Sequence, residues 1–187
     1  MLRLRFAKRI SCALVCAVLG GAASQAVSPS QYAGQEARDI KALSSADVAE
    51  LLSGRGMGFA KAAELNGYPG PSHVLELSSD LKLSQEQVAQ TQAIFQRMET
   101  EAKGLGVKLV EAERELDELF RSRAATPELL TVRLERISAL QAKIREAHLR
   151  AHIEQTRLLS EDQVSQYSRL RGYTGHGSGG QHGNHHQ

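Results

Sequence analysis

The stretch "LSQEQVAQTQAIFQRMETEAKGLGVKLVEAERELDELFRSR", Leu83 to Arg123, decides the fold. Val88, Thr91, Phe95, Met98, Ala102, Leu105, Leu109, Ala112, Leu116 and Leu119 follow one another at alternating spacings of three and four. That alternation is the seam of an α-helix packed along another helix. It stops at "RAATPE", where Thr126–Pro127 starts a second long helix; proline in a first turn costs nothing, because its missing N–H would be unpaired there anyway. Leu130, Leu134, Ile137, Ile144 and Ala151 lie on one side of this second helix, with Gln141 and His148 interrupting the same seam. Two long helices and a short connection predict an all-α fold built on an antiparallel helical hairpin. One hairpin buries little apolar surface, so two copies are expected to pack as a homodimer.

Upstream of the hairpin the helical signals are short. "EARDIKALSSADVAELLSG" reads as two small helical pieces, with Ser44 or Ser45 as the second N-cap, and "GRGMG" (Gly54 to Gly58) ends them. "FAKAAELNG" is a further piece stopped by Gly67, "YPGPS" is a turn, and "SHVLEL" is a short apolar helix capped by Ser72. Gly104 and Gly106 inside the first long helix each cost about 1 kcal/mol against alanine. They fit a bend or a close helix approach.

The chain opens on a three-part secretory leader: "MLRLRFAKR" is basic, "ISCALVCAVLGGAA" is apolar, and "SQA" places small residues at the cleavage positions before Val27. Cleavage after Ala26 would remove both cysteines, Cys12 and Cys16, leaving no thiol and no disulfide. It would also remove Arg3, Arg5, Lys8 and Arg9, leaving 19 of 23 basic side chains against 21 acidic ones. No basic surface for nucleic acid is then expected, and no later apolar run approaches the ~20 residues of a membrane helix. The organisation read from the sequence is a leader (1–26), an N-terminal segment with short helices (27–71), the hairpin domain (72–173) and a disordered His/Gly-rich tail (174–187).

"LSQEQ" (Leu83 to Gln87) and "LSEDQ" (Leu159 to Gln163) each carry a serine followed three residues later by glutamine. That is the capping box, in which Ser84 and Ser160 accept from the N3 amide while Gln87 and Gln163 reach back to the cap amide. Each restarts a helix after a bend. Two L-[ST]-x-x-Q segments at the ends of a long exported hairpin resemble the Spy/CpxP-type periplasmic family, marked by LTxxQ motifs and including ZraP-like and CnrX-like metal-binding relatives. The run "GRGMGFAKAAELNGYPGPSHVLEL" is similar to the periplasmic heavy-metal sensors of that group. The chain departs from the family in carrying serine for threonine and in lacking a strongly basic face, "EAERELDE" being acidic instead.

His148 and His152, four apart on one helix, stand about 6 Å from each other and can share one metal ion. The antiparallel geometry brings "SHVLEL" near them, so His73 is the candidate third ligand, with Glu76 or Glu99 as an oxygen ligand. The same spacing equally suits a seam histidine with its ring hydrogen-bonded and a solvated neighbour. The resemblance implies metal binding at this end of the hairpin. In the tail, His176, His182, His185 and His186 form a second candidate, a flexible tract that takes Zn²⁺, Ni²⁺, Co²⁺ or Cu²⁺ with little selectivity.

No enzymatic activity is expected: the mature chain has no cysteine, no H-E-x-x-H and no nucleophile-elbow pattern, and "GRGMG" lacks the preceding strand of a phosphate loop. The resulting expectation is an exported periplasmic metal-binding protein of heavy-metal or envelope stress response. Two alternatives stay open, a metal-independent holdase chaperone for unfolded periplasmic proteins and a regulatory partner of a membrane sensor protein.

Overall fold

The computed structural model describes residues 30–173; the leader with its two cysteines and the tail histidines lie outside them. Residues 30–33 make a turn, Ala33 N–H donating to the Ser30 carbonyl, and belong to a unit separate from the chain that begins at Gly34. That second unit is helical throughout its regular structure, with α1 (Ser45–Leu52), α2 (Lys61–Glu64), α3 (Pro71–Glu76), α4 (Gln85–Arg121), α5 (Pro127–Leu158) and α6 (Glu161–Leu170). Among the described residues no helix is long and apolar enough to cross a membrane.

The long helices form the expected antiparallel hairpin. Arg97 meets Glu154, Glu101 meets Arg150, and Glu115 meets both Arg133 and Arg136, so rising numbers on α4 meet falling numbers on α5. These half-exposed pairs fix register more than they stabilise, since surface ion pairs contribute about 0–1 kcal/mol. None of the ten α4 seam positions is exposed, and Thr91, Ala102, Leu109 and Ala112 are fully buried. The acidic run on α4 is less uniform than a solvated face: Asp117 pairs with Lys41, Glu115 bridges to α5, and Glu113 is buried, which raises its carboxyl pKa.

On α5 the buried stripe differs from the sequence reading. Ile137, Ile144, Ala147, His148, Ala151, His152 and Gln155 are buried, Leu140 packs against the core, and Gln141 and Leu134 face outward. The cause is a third layer. Residues 34–76 run along the hairpin from near its turn, where Asp39 and Lys41 meet Arg114 and Asp117, to its open end, where α2 and α3 pack on α5 and widen its buried face. Next to the turn Leu134, Val132, Leu129 and Phe120 stay exposed.

The N-terminal segment therefore shares the hairpin's core: Ile40 and Leu51 pack with Leu109, Val110, Ile137 and Ile144. "EARDIK" forms turns and bends rather than a helix, held against α4 by the burial of Ile40 and by donation from Lys41 N–H to Asp117. Ser44 caps α1 in a full capping box with Asp47. At its other end α1 lies directly on α4. A methyl group on Gly106 would overlap the Leu51 carbonyl, and one on Gly54 would stand 2.9 Å from the Glu99 carbonyl oxygen. Gly106 thus serves close approach, whereas nothing crowds Gly104. α3 is not capped by Ser72; it begins one residue earlier at Pro71, with Gly70 as N-cap and no side-chain cap, proline at N1 having no amide to satisfy.

Candidate functional site

The two echoing segments meet in space. Ser84 and Ser160 each accept from the N3 amide (Gln87 N–H at 3.1 Å, Gln163 N–H at 3.2 Å), and each glutamine oxygen accepts from the cap amide at 3.0 Å. The two side-chain amides then bond to each other: Gln87 Nε2 donates to Gln163 Oε1 at 2.8 Å, and Gln163 Nε2 donates to Gln87 Oε1 at 3.1 Å. Their remaining hydrogens go to the carbonyls of Leu158 and Leu81. Every donor and acceptor of both amides is used. A cap needs only its own serine and glutamine, so this reciprocal pair is why the motif occurs twice: it joins the start of α4 to the start of α6.

The paired histidines lie on the neighbouring stretch of α5 and are buried, His148 at 4 % and His152 at 8 % exposure. Each is covered by a glycine of the N-terminal segment. Gly56, in the "GRGMG" loop, sits over His148, where a Cβ would stand 3.5 Å from Nδ1. Gly70, in "YPGPS", sits over His152, where a Cβ would stand 2.9 Å from Cε1 and 3.1 Å from Nε2. The loop can fold this closely because Gly54, Met57 and Gly58 all adopt positive φ.

His152 Nδ1 lies 2.7 Å from the Tyr68 carbonyl. A carbonyl can only accept, so Nδ1 carries a hydrogen, the arrangement that commonly orients a metal-binding imidazole through Nε2. Beside it is Glu64, whose Oε2 is 3.7 Å from His152 Nδ1. Glu64 Oε1 accepts from Tyr167 OH at 2.5 Å and from Tyr173 OH at 3.1 Å, tying α2 to α6 and the residues after it. Burial, followed by this bond to Glu64, pushes the Tyr167 hydroxyl pKa well above its ordinary value, so it remains a donor.

Several polar atoms here are buried without a hydrogen-bond partner among the described residues: His148 Nε2, Glu64 Oε2 and Gln155 Oε1. Gln155 uses only its amide hydrogen, donated to Thr91 Oγ1 at 3.1 Å. Leaving such groups unpaired costs about 1–3 kcal/mol each. Burial, and then the neighbouring His152, lowers the His148 pKa and so favours the neutral ring.

The other expected ligands are elsewhere. His73 Nδ1 is 3.1 Å from Glu76 Oε2 on the same helix, both side chains are largely exposed, and the contact lowers the Glu76 pKa. Glu99 pairs with Lys103 at 3.2 Å. Among the described residues no group of three or more His, Cys, Asp or Glu side chains, these included, is placed to hold one metal ion. The carboxylate nearest His152 is Glu64, on the side of its Nδ1. The sequence offers little to find it by, because Glu64 is brought back only by the turn from Gly67 to Gly70. In kind, two imidazoles fit a borderline transition metal; in number they fall short of a site. No protein-family model matches the chain, and neither a curated protein nor a solved structure does.

Proposed function

We propose that the chain is an exported metal-binding protein of heavy-metal or envelope stress handling, in which His148 and His152 bind a transition-metal ion under the loops that carry Gly56 and Gly70. The observation that carries this reading is the buried pair itself. Among the described residues His148 Nε2 and Glu64 Oε2 accept or donate no hydrogen bond, and the bond of His152 Nδ1 to Tyr68 leaves its Nε2 open. Core histidines are ordinarily satisfied on both nitrogens, so the cost of leaving these open is explained if a ligand fills them. The leader and the resemblance to the Spy/CpxP-type family support the periplasmic setting. Calorimetric titration of the full chain with Zn²⁺, Ni²⁺, Co²⁺ or Cu²⁺ near neutral pH tests it. A tight event that raises the melting temperature is expected, and His148→Ala with His152→Ala is expected to abolish both effects. No metal-dependent stabilisation in the wild type overturns the reading.

One observation favours the holdase reading instead. Phe120, Leu129, Val132 and Leu134 leave exposed apolar surface around the hairpin turn, at 44–60 % exposure each. If this surface holds unfolded clients, the chain suppresses aggregation of a denatured test protein equally with and without metal, and Phe120→Ser with Val132→Ser removes that suppression. An unaltered effect in the double variant rules the turn out as the client surface.

A further inference from the structure

The two covers of the histidine pair are fastened in different ways. The turn over His152 is tied by polar bonds. The Tyr68 carbonyl accepts from His152 Nδ1, and Glu64, just ahead of the turn on α2, accepts from the Tyr167 and Tyr173 hydroxyls. The loop over His148, between α1 and α2, has no such tie. Among the described residues every hydrogen bond of Arg55 to Phe59 closes locally: Arg55 N–H on the Glu50 carbonyl, Phe59 N–H on the Gly56 carbonyl, and Lys61 N–H on the Gly58 carbonyl. The loop rests on the His148 ring through the Gly56 backbone, and Met57 and Phe59, each only partly buried, pack it against the core. Its backbone is also strained. Met57 has a φ of 42°, in the left-handed region that a side chain disfavours, between Gly54 at 70° and Gly58 at 79°.

We propose that residues 55–60 are a lid. The loop lifts from His148 between two fixed points, Gly54 pressed on α4 and Glu64 held by the tyrosines, while the turn over His152 stays shut. At 4 % exposure the His148 ring is closed to any ligand until a cover moves, and the cover with no polar tie is the one that opens at least cost. That the lid admits a metal ion rests on the reading above; that it opens does not. Opening uncovers a ring whose Nε2 has no hydrogen bond among the described residues, so the exposed imidazole is reactive.

Two glycines make a matched test. Gly58 (φ 79°) and Gly67 (φ 81°) stand one in each cover, and a Cβ at either meets nothing within 4 Å, so alanine strains only the backbone of its own cover. The full chain, free of metal and near neutral pH, is treated with diethyl pyrocarbonate, and the carbethoxylation rate of each histidine is read by peptide mass spectrometry. Gly58→Ala favours the open loop and should raise the His148 rate about tenfold, whereas Gly67→Ala should leave that rate within about twofold of wild type. An equal response of His148 in the two variants, whether a rise or none, overturns the lid, because the ring is then reached only when the whole unit unfolds. Hydrogen exchange of the wild type gives a readout that does not depend on how the variants fold. The Phe59 and Tyr68 amides each donate to a carbonyl within their own cover, at 2.6 and 3.1 Å. The Phe59 amide should be at least about tenfold less protected than that of Tyr68, and equal protection overturns the lid. Failure to bind Ni²⁺ in the calorimetric titration overturns the metal reading and leaves the lid standing, so the two fail separately.

Discussion

The C-terminal part of α5 passes two polar junctions built to opposite rules. At the joint between the capping boxes, Gln87 and Gln163 use every donor and acceptor they own on each other, on two serines and on two carbonyls. In the crease where His148 and His152 meet the loops of Gly56 and Gly70, His148, Glu64 and Gln155 each have a buried atom with no hydrogen bond among the described residues. Both junctions close the N-terminal segment or α6 onto the hairpin, and both are made of side chains that cost energy to bury. A fully satisfied network specifies structure, whereas an unsatisfied one gives up stability for something else. The joint is a closed structural element, whereas the crease keeps polar atoms open within the described residues.

The largest effect should come from breaking the joint. Gln87→Ala removes the amide that serves Ser84 N–H, the Leu158 carbonyl and Gln163, and is expected to destabilise the protein by about 2 kcal/mol. Gln163→Ala should cost a similar amount for the mirrored reasons. Because each amide is the other's partner, the double variant should lose little more than either single one, a coupling of about 1–2 kcal/mol in a double-mutant cycle read from urea unfolding. Simple additivity of the two losses would mean that the boxes act as independent caps.

The difference between the junctions also sets what could be read from the sequence. The hairpin was legible because the three-four alternation on α4 has no gap and Pro127 marks a helix start. Both capping boxes were legible because a serine and a glutamine three apart interact locally. That the two boxes bond to each other was not, since the contact joins residues 76 apart. The crease was half legible. Two histidines four apart on a helix announce a shared face, but their partner Glu64 arrives through a turn whose closure depends on Gly70 meeting the His152 ring. The stripe on α5 was misjudged at Leu134 and Gln141 for a related reason: a heptad seam presumes one neighbour, and residues 34–76 give α5 a second one over only part of its length.

The smallest effect on stability, and the one that separates the junctions most cleanly, belongs to His148→Leu in the presence of a chelator. Leucine fills a similar volume and removes a buried nitrogen that has no partner, so stability near pH 7 should be unchanged or slightly higher, where the glutamine variants lose it. The pH dependence carries the sharper signal. Burial first, and the neighbouring His152 second, lower the His148 pKa in the folded chain. The unfolded chain therefore takes up its proton first as the pH falls. The stability linked to neutral His148 is complete above the ordinary value of about 6.5. It declines below that value, by up to about 1.4 kcal/mol per pH unit, until the depressed folded value is passed. His148→Leu removes this contribution, so the stability difference between variant and wild type should widen in the variant's favour as the pH drops from 7 towards 5. Parallel pH profiles, measured by urea unfolding with chelator present, would mean that the His148 ring is solvated or paired in the folded protein. The contrast between a closed joint and an open crease would then be lost.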